Sequence, residues 1–231
     1  MQNQQPSTLK EIRVHGTQDF PCAFYQTGTR IKGNMVKHHW HEEVELLYFS
    51  GGEFCLEVNM ERFNISEECF YVINPGELHS ISVEKNGGCV ENAVVFHMDM
   101  LSSAYALDQI QTNLIQPVQN GSIQFPRCLR KNEPAFEPVR KSYEEIRNVF
   151  GGDSFRENYY DGEAVTDDIT RQLFIKSALL RILAVLSANN LFEVTEKNHD
   201  HRIETIKTTL TYIQENYKEK IYIRDLAGLI G

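Results

Sequence analysis

From Phe20 to His97 the apolar residues fall in short runs broken by turn residues. Phe54, Leu56 and Val58 alternate with Glu53, Cys55 and Glu57. A period of two is that of a strand with one buried face. Ser50-Gly51-Gly52, Asn59-Met60, Asn74-Pro75-Gly76 and Asn86-Gly87-Gly88 punctuate the runs. The last separates Ile81–Val83 from Val90–Phe96 and reads as a hairpin connection. Many short strands at this spacing predict a sandwich or barrel.

The rhythm changes after Met98. Leu101 to Gln116 is predicted helical, and the proline-containing stretch Gln116–Pro138 is predicted to be a connector. Val139, Tyr143, Ile146 and Phe150 then recur at helical spacing, with Gly151-Gly152-Asp153 as the stop. The strongest helical pattern covers Val165–Phe192, with a stripe of Ile169, Leu173, Leu180, Leu183 and Leu186. Phe174, Leu179, Ile182 and Val185 widen it. So broad an apolar face implies more than one partner, either inside one core or between the barrel and a second subunit. A polar linker follows, then a helix carrying Ile203, Ile206, Leu210, Ile213 and Tyr217, and another opening at Ile221–Ala227. The expected organisation is a β-barrel over 1–100, a helical segment over 101–192, a linker over 193–202 and a separate helical unit over 203–231.

Charge and composition narrow the partners. The net charge is −9. Residues 202–231 carry five Lys/Arg against four Asp/Glu, and the rest of the chain 18 against 28, a balance of −10. An acidic body is a poor surface for phosphate, so any contact with DNA belongs to the C-terminal end. No apolar run is long enough to span a bilayer, and the polar N-terminus has no leader pattern. Cys22, Cys55, Cys69, Cys89 and Cys128 are odd in number and form no C-x-x-C, which fits a reduced cytoplasmic protein.

The candidate chemistry lies in the β region. His39 and His41 are two apart and Glu45 shares their parity, so on strands they point to one face. His79 follows the Pro75-Gly76 turn on a later strand. Two His at i and i+2, a carboxylate and a third His can converge on one divalent metal ion. His38 has the opposite parity and His97 sits at a strand end; both read as structural. Trp40 also points away from His39, so packing outside the cavity is expected rather than stacking on a sugar ring. Tyr48, Phe54 and Phe70 could line either the core or a pocket. Arg30 could clamp a carboxylate or sugar hydroxyl.

Gly33, His39, His41, Glu45 and Gly52 reproduce the first motif of the cupin superfamily, G-x5-H-x-H-x3-E-x6-G. The second motif appears one residue short, as Pro75-Gly76-Glu77-Leu78-His79. That form, with the run His39–Tyr48, resembles the sensor domains of AraC-type transcription regulators. Tyr212–Tyr217 and Ile223–Gly231 resemble the start of the AraC-type DNA-binding domain, Ala227 being the small packing residue and Gly231 the turn of a helix-turn-helix. The second helix, which would enter the major groove, is not in this sequence, so the chain reads as part of a longer regulator.

The resemblance implies a cupin-like β-barrel (a jelly roll), a helical dimerisation segment and the beginning of a helix-turn-helix domain. It implies a homodimeric, non-enzymatic regulator without a cofactor. A small polar effector such as a sugar would be held by His39, His41, Glu45 and His79, with Arg30 as a further contact, and promoter DNA would be bound by the full-length protein. The same residues support an alternative, a metal-dependent cupin enzyme such as a dioxygenase or isomerase, with His39, His41, Glu45 and His79 as ligands. A third reading makes the barrel a dimerisation scaffold without an effector.

Overall fold

A computed structural model describes residues 9–29, 31–86, 89–105, 107–151, 168–195 and 201–230. Eight strands follow the N-terminal arm: β1 (Cys22–Thr29), β2 (Gly33–His39), β3 (Val44–Phe49), β4 (Phe54–Val58), β5 (Glu61–Ile65), β6 (Cys69–Ile73), β7 (His79–Val83) and β8 (Cys89–Phe96). They form two antiparallel sheets. One has the order β1-β8-β3-β6, with β10 (Cys128–Arg130) added beyond β6, and the other the order β2-β7-β4-β5. The sequence from residue 101 onward therefore contributes an edge strand to the barrel as well as helices.

Parity along the strands decides what each sheet covers. On the larger sheet Ala23, Tyr25, Leu47, Phe49, Tyr71 and Val95 face the second sheet and meet Phe54, Leu56, Ile81 and Val83 in one apolar core. Their neighbours Phe24, Leu46, Tyr48, Phe70, Val72 and Val94 point the other way, onto the helices. Both faces of this sheet are thus buried, which explains runs such as Val44–Phe49 that hardly alternate. Of the three aromatic residues left open by the sequence, Phe54 lines the barrel interior, while Tyr48 and Phe70 belong to the helical layer.

The helical layer consists of α2 (Phe136–Val149) and α3 (Ile169–Ala188). Val139, Tyr143 and Ile146 of α2 are buried as their spacing predicts, and Gly151, with φ +81°, ends the helix in the left-handed region. Asp168 caps α3 by accepting hydrogen bonds from the amides of Thr170 and Arg171. The expected start at Val165 lies outside the described residues. The helix ends at Ala188 rather than Phe192, because Asn190 turns with φ +53° and β11 (Glu193–Val194) pairs with β9 (Ile123–Gln124).

The helix expected over Leu101–Gln116 begins later and ends later. Asp108 accepts hydrogen bonds from the amides of Ile110 and Gln111 and sets the start. A π-helical stretch, Gln111–Ile115, then leads into α1 (Gln116–Gln119). Pro117 does not break it, because it falls in the first turn of α1, where its missing N–H is least needed. The chain closes with α4 (His201–Asn216) and α5 (Ile223–Ile230), where two helices were predicted. No helix among the described residues is long and apolar enough to cross a membrane.

Candidate functional site

Four residues from two separate stretches of the sequence, 39–45 and 79, meet at one end of the barrel. His39 closes β2 and is register partner to His79, the first residue of β7. Their rings are 4.2 Å apart, and both lie within 5.6 Å of the His41 ring. Glu45, on β3, places Oε2 3.0 Å from His79 Nε2 and 3.5 Å from His41 Nε2. His39, His41, Glu45 and His79 are thus brought together. Arg30 lies outside the described residues. His38 faces away, 3.0 Å from Glu57, and His97 accepts a hydrogen bond from the Asp99 amide beyond β8.

The backbone determines which nitrogen each ring presents. Nδ1 of His39, His41 and His79 lies 2.9, 3.2 and 2.9 Å from the carbonyls of Lys37, Glu43 and Glu77. A carbonyl can only accept, so each Nδ1 carries a proton and each Nε2 is the atom turned toward the site. His79 Nε2 then confronts the Glu45 carboxylate. Both atoms are buried, and they are close-paired. A buried carboxylate this close to a ring nitrogen needs a proton or a cation between them.

Charge is distributed accordingly. Burial works to raise the Glu45 carboxyl, but the adjoining His41 and His79 rings outweigh it and hold it well below the usual carboxylate range. Burial works against a proton on His41, yet Glu45 and Glu43 draw its affinity upward. Burial, and then the neighbouring His79, push His39 down to about 4, so it is neutral near pH 7. Beside His79, the site holds one carboxylate, one neutral imidazole and one imidazole whose affinity for a proton is raised.

The N-terminal arm adds groups that sequence reasoning missed. The Glu11 amide donates to the Trp40 carbonyl, and the Trp40 amide to the Leu9 carbonyl, so the arm lies beside the site. His15 reaches within 5.3 Å of His41, ring to ring. Its Nδ1 lies 2.9 Å from the Tyr25 hydroxyl, and its Nε2 3.3 Å from Glu11. Glu11 is also 3.3 Å from His39 Nε2. No spacing rule relates Glu11 and His15 to the motif histidines; only the parallel bridge Lys10–Trp40 does so. Trp40 packs outside the cavity, as its parity predicts. Its ring lies between Lys10, at 5.0 Å, and Lys207 of α4, at 4.6 Å.

The turn that presents His79 is clamped from a distance. Gly76, with φ +79°, sends its amide to the His41 carbonyl. Glu77 accepts hydrogen bonds from the Asn74 amide and from both terminal nitrogens of Arg127. Arg127 also donates to the Val72 carbonyl. The buried Asn74 Oδ1 accepts from the Phe125 amide. The connector after α1 thereby locks the P-G-E-L-H turn.

Glu91 lies further along the interior, fully buried, with Oε1 unpartnered. Burial, and then the charge of Glu45, raise its carboxyl well above the usual range. The folded state keeps the carboxyl proton to higher pH than the unfolded chain does. Stability from Glu91 is therefore present at low pH and lost as pH rises above about 4.5, the unfolded value, toward the folded one. Glu91→Gln is expected to be more stable than the parent at pH 8, by about 1–3 kcal/mol, with the gain shrinking toward pH 5. Denaturant melts at both pH values measure it. An equal gap at both would show that Glu91 does not titrate in this range.

A divalent cation fits the donor set. One nitrogen each from His39, His41 and His79 can be taken with all three inside 4.8 Å of one another, and Glu11, His15 and His41 form a second such group. Glu45 belongs to neither group but adjoins His79 and His41. Pinning Nδ1 on a carbonyl is the usual way a ligating histidine is oriented.

Residues 26–148 match the family model described as the AraC-like ligand binding domain. The chain belongs to this family, and its barrel with the adjoining helices is the sensor domain of an AraC-type transcription regulator. Among curated proteins, the uncharacterized HTH-type transcriptional regulator YdeC of Bacillus subtilis is 25% identical over 227 residues, spanning 95% of this chain and 69% of that protein. Among solved structures, a predicted oxalate decarboxylase of Thermotoga maritima is 24% identical with a TM-score of 0.30, covering 32% of this chain and 64% of that one. A cupin protein of Bacteroides fragilis is 14% identical with a TM-score of 0.32, covering 38% of this chain and 75% of that one. At such scores these two likenesses add nothing to the argument from strand order and family.

Proposed function

We propose that this sensor domain binds a small polar effector, a sugar or related polyhydroxylated metabolite, at His39, His41, Glu45 and His79, and that binding adjusts promoter recognition by the regulator's DNA-binding domain in the cytoplasm. One observation carries the reading. His79 Nε2, Glu45 Oε2 and His15 Nε2 are buried polar atoms gathered at one barrel end, and none of them makes a well-aligned hydrogen bond. Hydroxyl groups, which both donate and accept, would satisfy them. Arg30 remains a proposed further contact.

An effector can shift the protein only if one conformation holds it better than another. The test uses the full-length regulator. A panel of sugars and hydroxy acids is screened by thermal shift, and hits are titrated in promoter-binding assays. The expected result is a hit whose affinity falls at least tenfold in His79→Ala and which changes promoter affinity. Hits that leave promoter binding and transcription unchanged would end the gating idea.

The homodimer is proposed on α3. Ile175, Leu179, Ile182 and Leu186 face the protein's own core, but Ile169, Leu173 and Leu180 are exposed on another side of the helix. A second copy would cover them and so supply the second partner the broad apolar pattern demands. Leu173→Glu is expected to convert a dimer into a monomer in light scattering without lowering the melting temperature of the barrel. A dimer that survives the change would move the interface elsewhere.

A second reading rests on the pinned Nδ1 atoms, which turn the Nε2 atoms of three rings toward one site. A divalent cation at His39, His41 and His79, with Glu45 beside them, would supply Lewis-acid chemistry or hold the effector. Stoichiometric metal in the purified full chain, lost in His41→Ala, would favour it over the metal-free sensor.

A further inference from the structure

Outside the histidine site, two thiols are set against each other on the sheet edge. β10 pairs antiparallel with β6, with Cys128 opposite Tyr71 and Arg130 opposite Cys69. Directly opposed residues share a face, so Cys69, Tyr71, Cys128 and Arg130 all lie on the inner side of the sheet. Cys69 is buried and Cys128 half-buried, and both are unbridged. The two thiols are diagonal neighbours across the strand pair. We infer that Cys128 and Cys69 form an oxidisable dithiol, in which Cys128 is the thiol attacked by peroxide and Cys69 resolves it to a disulfide.

The surroundings assign the two roles. Hydrogen bonding from Cys69 comes first, with Tyr71 and the charge of Arg130 adding to it; against the opposing effect of burial, they draw the Cys128 thiol down to about 7. The thiolate is the form that reacts, so these surroundings favour Cys128 over Cys69 as the attacked thiol. Cys69, as donor in that contact and largely buried, keeps its proton. Cys22 is fully buried and its thiol is pushed upward by burial alone, so it has no such activation.

The chemistry balances with hydrogen peroxide as oxidant. The Cys128 sulfur attacks one peroxide oxygen, the O–O bond breaks, and hydroxide leaves as water after taking a proton. Cys128 is now a sulfenic acid. The Cys69 sulfur, giving up its proton, attacks the Cys128 sulfur; the S–S bond forms, the S–O bond breaks and a second water leaves. Two thiols lose two electrons and one peroxide becomes two waters. β10 is a three-residue strand at the sheet edge, paired on one side only, with β6. Cys128 directly follows Arg127, so the bond would form on the segment that clamps the His79 turn.

The test exposes the reduced full chain to hydrogen peroxide under native conditions, caps the remaining thiols and maps unreduced peptides by mass spectrometry. The expected product joins the Cys69 and Cys128 peptides with loss of two hydrogens, while Cys22 and Cys55 become alkylable only on unfolding. In Cys69→Ser, a dimedone adduct should accumulate on Cys128 at least tenfold over the parent; in Cys128→Ser, Cys69 should stay unmodified. The parent map needs no variant to fold. Both thiols still alkylable after peroxide, or a sulfenic acid on Cys128 that never closes in the parent, would overturn the proposal.

Discussion

Arg127→Ala is expected to destabilise the protein by about 3 kcal/mol and to weaken effector binding with it. The guanidinium is bidentate to Glu77, whose side chain is only 8% exposed. Removing one partner of such a pair leaves an uncompensated charge, an effect of about 3–5 kcal/mol when burial is complete. Arg127 is 26% exposed, so water enters the gap and the lower end applies. The loss reaches the site because Glu77 stands two residues before His79, and its carbonyl holds His79 Nδ1. Arg127→Lys should recover only part, since an ammonium cannot make the paired contact. Equilibrium unfolding and titration of an effector identified by screening would be measured together. A variant as stable as the parent would mean that the clamp is not what fixes the turn.

Phe70→Ala is expected to cost about 3–5 kcal/mol, lowering the melting temperature by roughly 10 °C. Phe70 is fully buried on the outer face of the larger sheet. Its ring lies 4.8 Å from Tyr48, 5.4 Å from Phe136 and 5.4 Å from Tyr143, centroid to centroid. These partners join the sheet to α2, so no single side chain can relax into the void. The melt should lose stability without losing the barrel's β-sheet circular dichroism at low temperature. A cost below about 1 kcal/mol would contradict tight docking of α2 on the sheet.

Much of the site was legible because its chemistry is local. His39, His41 and Glu45 share strand parity, and the P-G-E-L-H turn positions His79 at a strand start. The two residues that complete the surroundings, Glu11 and His15, come from an arm held only by backbone bonds to Leu9 and Trp40. Such pairing leaves no periodicity, so nothing in the arm announced it. Arg127 was hidden for a similar reason: it lies in a connector whose prolines suggested only a link.

The periodic pattern also determined the existence of the barrel strands, of α2 and of the paired C-terminal helices, since alternation and helical spacing are properties of adjacent residues. It determined that α3 has more apolar surface than one neighbour can cover. Which of those apolar residues faces inward was settled only by docking: Ile175 and Ala178 are buried, whereas Ile169, Leu173 and Phe174 are exposed. The helix starts and stops at Asp108, Asp168 and Asn190 also depended on individual caps and a turn. The meeting of Cys69 with Cys128, and of Arg127 with Glu77, arose from one tertiary event, the addition of β10 to the edge of β6. Strand pairing across nearly sixty residues depends on which edge is free in the folded sheet, and a linear sequence does not display a free edge.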